Sequence, residues 1–133
     1  MYKRQAQGSF VEFDQRAFTD ELTEHGLSAT AVVYVPPACE DGGCRVHVAF
    51  HGCQQNRNAV AAAFVRAAGY ARWADANKIV VLFPEVRESA LTNPLGCWEW
   101  WGYTGRDYLT RDGDQITAIR RMLDHLASTA AGA

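Results

Sequence analysis

The sequence predicts an α/β fold: a small sheet of three to four strands with two main helices and a long aromatic-rich loop. Three observations carry this. Short β-branched and apolar runs are separated by turn signals, one helical crossover lies between two of those runs, and an amphipathic helix closes the order. Phe10, Val11 and Phe13 suggest a first short strand, whereas residues 18–27 are too mixed to assign. Residues 31–35 (AVVYV) form a β-branched and aromatic run closed by Pro36 and Pro37, and in residues 45–50 (RVHVAF) Val46, Val48 and Phe50 alternate; both read as strands. Residues 58–76 are rich in alanine, with Val60, Phe64, Ala67, Ala71 and Ala74 at steps of three and four, which predicts one helix with Phe64 and Trp73 packed in the core. Residues 79–83 (IVVLF), stopped by Pro84, have the pattern of a strand buried on both faces of a parallel sheet. Periodicity then disappears until Ile116, Ile119, Leu123 and Leu126 mark a helix that begins near Asp112 or Asp114. A small-residue tail, residues 127–133, follows.

At 133 residues, 48% hydrophobic and 21% charged, the chain has the size of one domain. Its formal net charge of −2, from 13 basic and 15 acidic side chains, leaves no basic stripe to bind nucleic acid. The longest apolar stretches, residues 59–65 and 79–83, fall far short of the roughly 20 residues that cross a bilayer, so no membrane partner is expected. Residues 1–7 (MYKRQAQ) are polar, so no secretory signal lies within them. There is no internal repeat.

Cys39, Cys44, Cys53 and Cys97 form an even set that allows three pairings. Cys39 and Cys44 bracket the turn-forming segment Glu40-Asp41-Gly42-Gly43, which brings two sulfurs together without straining the flanking chain, and this leaves Cys53 with Cys97. Zinc is the rival use, since His47, His51, Cys53 and Cys97 are permitted ligand types, but no metal-binding spacing supports it and no metal is expected. Two disulfides would place the protein in the periplasm or outside the cell.

The segment Phe50-His51-Gly52-Cys53-Gln54-Gln55 runs from a strand into a helix. A backbone N–H just past a strand end and beside a helix start can hold an oxyanion, and in α/β-hydrolases the corresponding strand often ends in His-Gly. Gly52 lets the backbone approach a substrate closely, and His51 is expected to shape the turn through its ring, not to act as a general base. Residues 93–103 (NPLGCWEWWGY) put Trp98, Trp100, Trp101 and Tyr103 in one loop of a length usually reserved for function. Such aromatic faces bind apolar polymers and sugar rings. Trp98 follows Cys97, so a Cys53–Cys97 bond would pin it beside the oxyanion element. A nucleophile is missing: Ser9, Ser28, Ser89 and Ser128 all lack the G-x-S-x-G setting, and evenly paired cysteines leave no free thiolate.

Taken together, Tyr34-Val35-Pro36 with Cys39, CRVHVAFHGCQQ at residues 44–55, GYARWADANKIVVLFPE at 69–85, NPLGCWEWWGY at 93–103 and YLTRDGDQITAIRRM at 108–122 resemble one family. It is the extracellular polyhydroxybutyrate depolymerases of the circularly permuted, fungal type, members of the α/β-hydrolase superfamily. Residues 10–18 (FVEFDQRAF) look like that family's entry into the region, and the resemblance spans about residues 8 to 127. It implies that the chain is the C-terminal portion of a larger serine esterase whose nucleophile strand, aspartate and histidine come earlier in the polypeptide. It further implies a backbone N–H of Cys53 in the oxyanion hole, Trp98 on the polyester, and no cofactor. The partners it implies are poly-3-hydroxybutyrate or its oligomers and the missing catalytic part. A sheet cut from a larger one would also tend to self-associate. Two other functions fit the same residues: a non-catalytic polymer-binding module, and a segment of a feruloyl or acetylxylan esterase.

Overall fold

The computed structural model describes residues 5–20 and 25–132. Its centre is a four-stranded sheet in the order β1-β2-β4-β3. Strands β1 (Ser9–Asp14) and β2 (Thr30–Val35) are antiparallel, with Phe10 opposite Tyr34 and Phe13 opposite Ala31. Strand β3 (Arg45–Val48) runs parallel to β4 (Ile79–Phe83), which is antiparallel to β2. The run IVVLF is therefore interior, but in a mixed sheet and not the wholly parallel one its pattern suggested. The stretch 36–44, closed by the Cys39–Cys44 disulfide, turns the chain back past an empty position, and the helical crossover later delivers β4 into it.

The two faces of the sheet carry separate cores because side chains alternate along each strand. Val32, Tyr34, Val81 and Phe83 pack with Val65, Ala71 and Ala74 from the crossover. Leu82 faces the other way, onto Leu27, Val86, Ala118, Ile119 and Met122 under the closing helix. Tyr34 is fully buried, yet its hydroxyl is satisfied: it donates to Asp75 at 2.6 Å and accepts from the Gly8 N–H at 2.7 Å.

The crossover is not one helix. It divides into α1 (Arg57–Val60), α2 (Ala63–Ala67) and α3 (Tyr70–Asn77), with positive φ at Ala61 (52°) and left-handed backbone at Gly69 (φ 94°). Alanine promotes helix at every position, so the periodic pattern does not show where the axis bends; only Gly69 advertises a break. Phe64 packs against the core as expected, but Trp73 is 46% exposed, because α3 turns Ala71 and Ala74 inward instead. The closing helix α4 (Asp114–Gly132) continues through most of the small-residue tail, as its alanines favour, and residue 133 lies outside the described residues. Ile116 does not join the buried stripe: it is 44% exposed, and Ala118, Ile119 and Met122 form the inward face. Of residues 18–27, positions 21–24 lie outside the described residues.

Candidate functional site

The loop after β3 is built by side chains that capture backbone. Ala49 prolongs the pairing by donating to the Leu82 carbonyl at 2.9 Å, and the chain then leaves the sheet. His51 turns inward and is 2% exposed. Its Nε2 accepts from the Val86 N–H at 3.2 Å, and its Nδ1 lies 2.8 Å from the Gly52 carbonyl. An amide N–H can only donate and a carbonyl can only accept, so the proton sits on Nδ1 and the ring is neutral. Burial holds the His51 pKa below the ordinary histidine value. With both nitrogens committed, the ring shapes the turn and has no lone pair left for general-base work.

The Gly52–Cys53 peptide is fixed as a consequence. Its carbonyl is held by His51, so its N–H, on Cys53, points the opposite way across the trans-planar unit. That N–H has no hydrogen-bond partner among the described residues, and Cys53 is exposed. The flanking groups are all engaged. The Gly52 N–H donates to Gln55 Oε1 at 2.7 Å, the Gln54 N–H to the Leu95 carbonyl at 2.8 Å, and the Gln55 N–H to the Gly52 carbonyl at 3.2 Å. Among residues 52–55 the Cys53 N–H is the one backbone donor left without a partner, and an outward donor between engaged neighbours is the arrangement an anionic oxygen would require. Gly52 itself has ordinary backbone angles, and a Cβ there would meet only the mobile end of Gln55, at 2.9 Å.

Two buried residues that sequence reasoning missed complete the support. Asn56 caps α1 by accepting from the Ala59 N–H at 3.0 Å, and its Nδ2 donates to the Val86 carbonyl at 3.2 Å. Val86 thus gives both its backbone groups to side chains of the loop. Glu85, 2% exposed, accepts from the Arg57 N–H at 3.2 Å through Oε2, and the same oxygen lies 3.7 Å from His51 Nε2. Burial pushes the Glu85 pKa up to about 7. The cap signal of an Asn before a helix was available in the sequence; Glu85 offered none, since its role depends on a contact 28 residues away.

The other side of the site is the aromatic loop. Disulfides join Cys53 to Cys97 and Cys39 to Cys44, and no cysteine is free. Trp98 is brought beside the turn: its ring centroid lies 5.0 Å from Phe50 and 5.6 Å from His51. Its Nε1 is buried without a hydrogen-bond partner among the described residues. Trp100 and Trp101 are placed elsewhere. They are 68% and 40% exposed, and their rings meet each other and, through Trp101, Tyr103. Glu99 shapes this part by accepting from the backbone N–H groups of Trp101, Gly102 and Thr104. Burial alone would raise its pKa, but these bonds outweigh it and hold the carboxyl below its ordinary value. Between the loop and α4 lies an apolar groove of about 610 Å³, lined by Phe50, Trp98, Leu109, Ile116, Ile119 and Leu123. No cluster of three or more metal-ligating side chains occurs among the described residues.

This fold and turn define a class first: a mixed α/β protein of the α/β-hydrolase type. Within it the chain is a homologue of one portion of the polyhydroxybutyrate depolymerases. It is 44% identical over 128 residues to the poly(3-hydroxybutyrate) depolymerase of Delftia acidovorans, covering 94% of this chain and 25% of that protein. It is 32% identical over 133 residues to the polyhydroxybutyrate depolymerase of Talaromyces funiculosus, covering 91% of this chain and 38% of that one. The crystal structure of the depolymerase from Penicillium funiculosum superposes with a TM-score of 0.85 at 31% identity, covering 94% of this chain and 42% of that chain. A serine-to-alanine depolymerase variant complexed with an R3HB trimer matches equally well. No protein-family model matches the chain. The chain therefore spans between a quarter and less than half of the relatives it matches.

Proposed function

We propose that this chain is the C-terminal portion of a circularly permuted, secreted polyester depolymerase, in which it provides one oxyanion donor and aromatic contacts to poly-3-hydroxybutyrate. The observation that carries the proposal is the free, outward N–H of Cys53, its direction held by His51 through the Gly52 carbonyl. In ester hydrolysis a serine hydroxyl adds to the ester carbonyl, a histidine takes its proton, and the carbonyl oxygen becomes an oxyanion. The Cys53 N–H would donate to that oxygen, and Trp98, packed against Phe50 and His51, would bound the acyl side. Trp100 and Trp101 would meet the polymer further out. The serine, the histidine and the aspartate would come from outside these 133 residues, since none of the serines here has the nucleophile setting. The two disulfides support an extracellular or periplasmic location.

Turnover of p-nitrophenyl butyrate by the isolated chain tests this. A rate indistinguishable from buffer is expected, because removing nucleophile and base typically costs orders of magnitude. Appreciable activity abolished by a serine-directed phosphonate would overturn it. The exposed Trp100 and Trp101 also suit a non-catalytic polymer-binding module. Tight adsorption to polyhydroxybutyrate granules that survives Trp98→Ala and needs no second polypeptide would favour that function.

A further inference from the structure

One carboxyl touches both ends of the turn at residues 51–57. Oε2 of Glu85 accepts from the Arg57 N–H at 3.2 Å at one end and lies 3.7 Å from His51 Nε2 at the other. The backbone that carries this side chain is fixed. Gln15, fully buried, accepts from the Glu85 N–H at 3.1 Å and donates to the Glu85 carbonyl at 2.9 Å, and the Ser28 N–H donates to the same carbonyl at 2.9 Å. Oε1 of Glu85, in contrast, has no hydrogen-bond partner among the described residues. The residue lines a polar pocket of about 470 Å³ with Ser28, Thr30, Arg57, Asn58 and Arg87, which gives the carboxyl a route for proton exchange with solvent.

The contact with His51 is too long for a hydrogen bond, so what it transmits is charge. His51 carries its proton on Nδ1, which donates to the Gly52 carbonyl at 2.8 Å, and the lone pair of Nε2 accepts from the Val86 N–H at 3.2 Å. That lone-pair side of the ring also faces Glu85 Oε2. A neutral carboxyl is compatible with it. A carboxylate is not, because two electron-rich atoms would then sit 3.7 Å apart between buried side chains, where little water screens them. A carboxylate favours a proton on Nε2, which would donate to it in a charge-assisted bond about twice as strong as the neutral one from Nδ1. The bare Nδ1 would then meet the Gly52 carbonyl oxygen, and the peptide that carries the Cys53 N–H would lose its hold.

We infer that Glu85 is a positioning residue for the Cys53 N–H: its neutral carboxyl keeps His51 in the Nδ1–H form that holds the Gly52 carbonyl, and its ionisation releases that hold. The proton leaves Glu85 for solvent through the polar pocket, and the ring proton moves from Nδ1 to Nε2, so the pair loses one proton in all. The charged groups that face the carboxyl are His51 from the loop after β3, Arg57 from α1 and Arg87 beyond the end of β4. Two acids stand one step behind: Glu12 of β1 pairs with Arg57 at 2.6 Å, and Glu88 accepts from Asn58 at 3.2 Å. The start of β2 and the residues before it offer only the hydroxyls of Ser28 and Thr30. Burial outweighs Arg57 and puts the Glu85 pKa at about 7, so the change falls in the neutral range. The inference rests on the depolymerase reading only for the use made of the N–H; the coupling of Glu85 to His51 stands on the geometry.

Nitrogen-15 spectra of the full 133-residue chain test this, since each imidazole tautomer has its own pair of ring shifts. As the pH rises from about 5.5 to about 9, His51 should pass from the Nδ1–H to the Nε2–H pattern, and the Glu85 carboxyl carbon and the Cys53 amide should move with the same midpoint. Glu85→Gln is neutral at every pH and can still accept from the Arg57 N–H. In this variant His51 should keep its Nδ1 proton throughout, and the Cys53 amide should not titrate. A parent His51 that stays Nδ1–H at every pH, or that changes with a midpoint different from that of Glu85, would overturn the inference. So would a tautomer change that persists in Glu85→Gln, or a Glu85 titration that moves the urea midpoint and leaves the ring unchanged. If the variant does not fold, the two midpoints in the parent decide alone. Ester hydrolysis separates this from the depolymerase reading. Phosphonate-sensitive turnover by the isolated chain counts against that reading only, and a fixed His51 tautomer counts against the coupling only.

Discussion

Removing the disulfide between Cys53 and Cys97 should cost far more stability than removing the one between Cys39 and Cys44, although both are single covalent bonds. The reason lies in the unfolded chain. Cys53 and Cys97 are 44 residues apart, and closing a loop of that size removes enough denatured-state entropy to stabilise the fold by about 4 kcal/mol. Cys39 and Cys44 are 5 residues apart, for which the same relation gives about 2 kcal/mol. The native turn, in contrast, has other supports: His51 on Gly52 and Val86, Asn56 on Val86, and Gln54 on Leu95. The Cys53→Ser, Cys97→Ser double variant should therefore fold to nearly the same native state from a freer unfolded one. Urea unfolding followed by tryptophan fluorescence gives the free energies, and a two-dimensional amide spectrum reports the turn. The reasoning is refuted if the Cys39→Ser, Cys44→Ser variant loses as much as the other, or if amides of residues 51–56 broaden in the Cys53→Ser, Cys97→Ser variant, which would mean that the bond shapes the native loop.

Three further outcomes are expected. Glu85, whose pKa rises on folding from 4.5 to about 7, is favoured in its neutral form by the fold. Its contribution is therefore complete below pH 4.5 and is lost as the pH climbs through about 7, a change of roughly 3 kcal/mol. Glu85→Gln stays neutral and still accepts from Arg57, so its stability relative to the parent should rise by about that amount between pH 4 and 8 in urea titrations; a constant difference would show that the carboxyl does not titrate there. His51 runs in the opposite sense, its pKa depressed by burial and costing stability as the pH falls. Tyr34→Phe removes the hydroxyl between Asp75 and the Gly8 N–H and should cost about 2 kcal/mol, measured by thermal or urea unfolding. Trp100→Ala should lower adsorption to polyhydroxybutyrate granules at least tenfold with little change in the unfolding midpoint, as this ring is 68% exposed.

The strands were legible because β2 and β4 are short β-branched or aromatic runs ended by Pro36 and Pro84, and β1 and β3 carry short alternating apolar patterns, and those signals are local. The order β1-β2-β4-β3 was not, because periodicity records which face is buried and says nothing of which strand lies alongside. The crossover misled for a related reason: alanine gives helix propensity without specifying length, and Ala61 adopts a positive φ that its residue type does not foretell. In the site, His51, Cys53 and Trp98 were visible through chain neighbours, a strand end followed by glycine and a cysteine followed by tryptophan. Trp100 and Trp101 share that sequence neighbourhood yet pack with each other and Tyr103, in a segment that Glu99 curls by gathering the N–H groups of residues 101, 102 and 104.

What the sequence concealed most fully is how the turn is held open, and Val86 explains it. A strand end normally satisfies its backbone through the next strand, but here the continuation of β4 meets side chains instead: the Val86 N–H goes to His51 and its carbonyl to Asn56. These two bonds replace ladder bonds that a longer β3 would have made, and so allow β3 to end at Val48 while the loop remains rigid. For the role proposed for the Cys53 N–H, rigidity matters because an oxyanion donor acts only if it need not reorganise as charge develops. Gly96 belongs to the same device. Its left-handed backbone (φ +61°) carries the aromatic loop against Asn56, and a Cβ there would come within 2.5 Å of Asn56 Nδ2, the atom that holds Val86. The glycine, the asparagine and the histidine thus hold the Cys53 N–H in one direction, and in the proposed role Cys53 would contribute its backbone and a disulfide and no side-chain chemistry of its own.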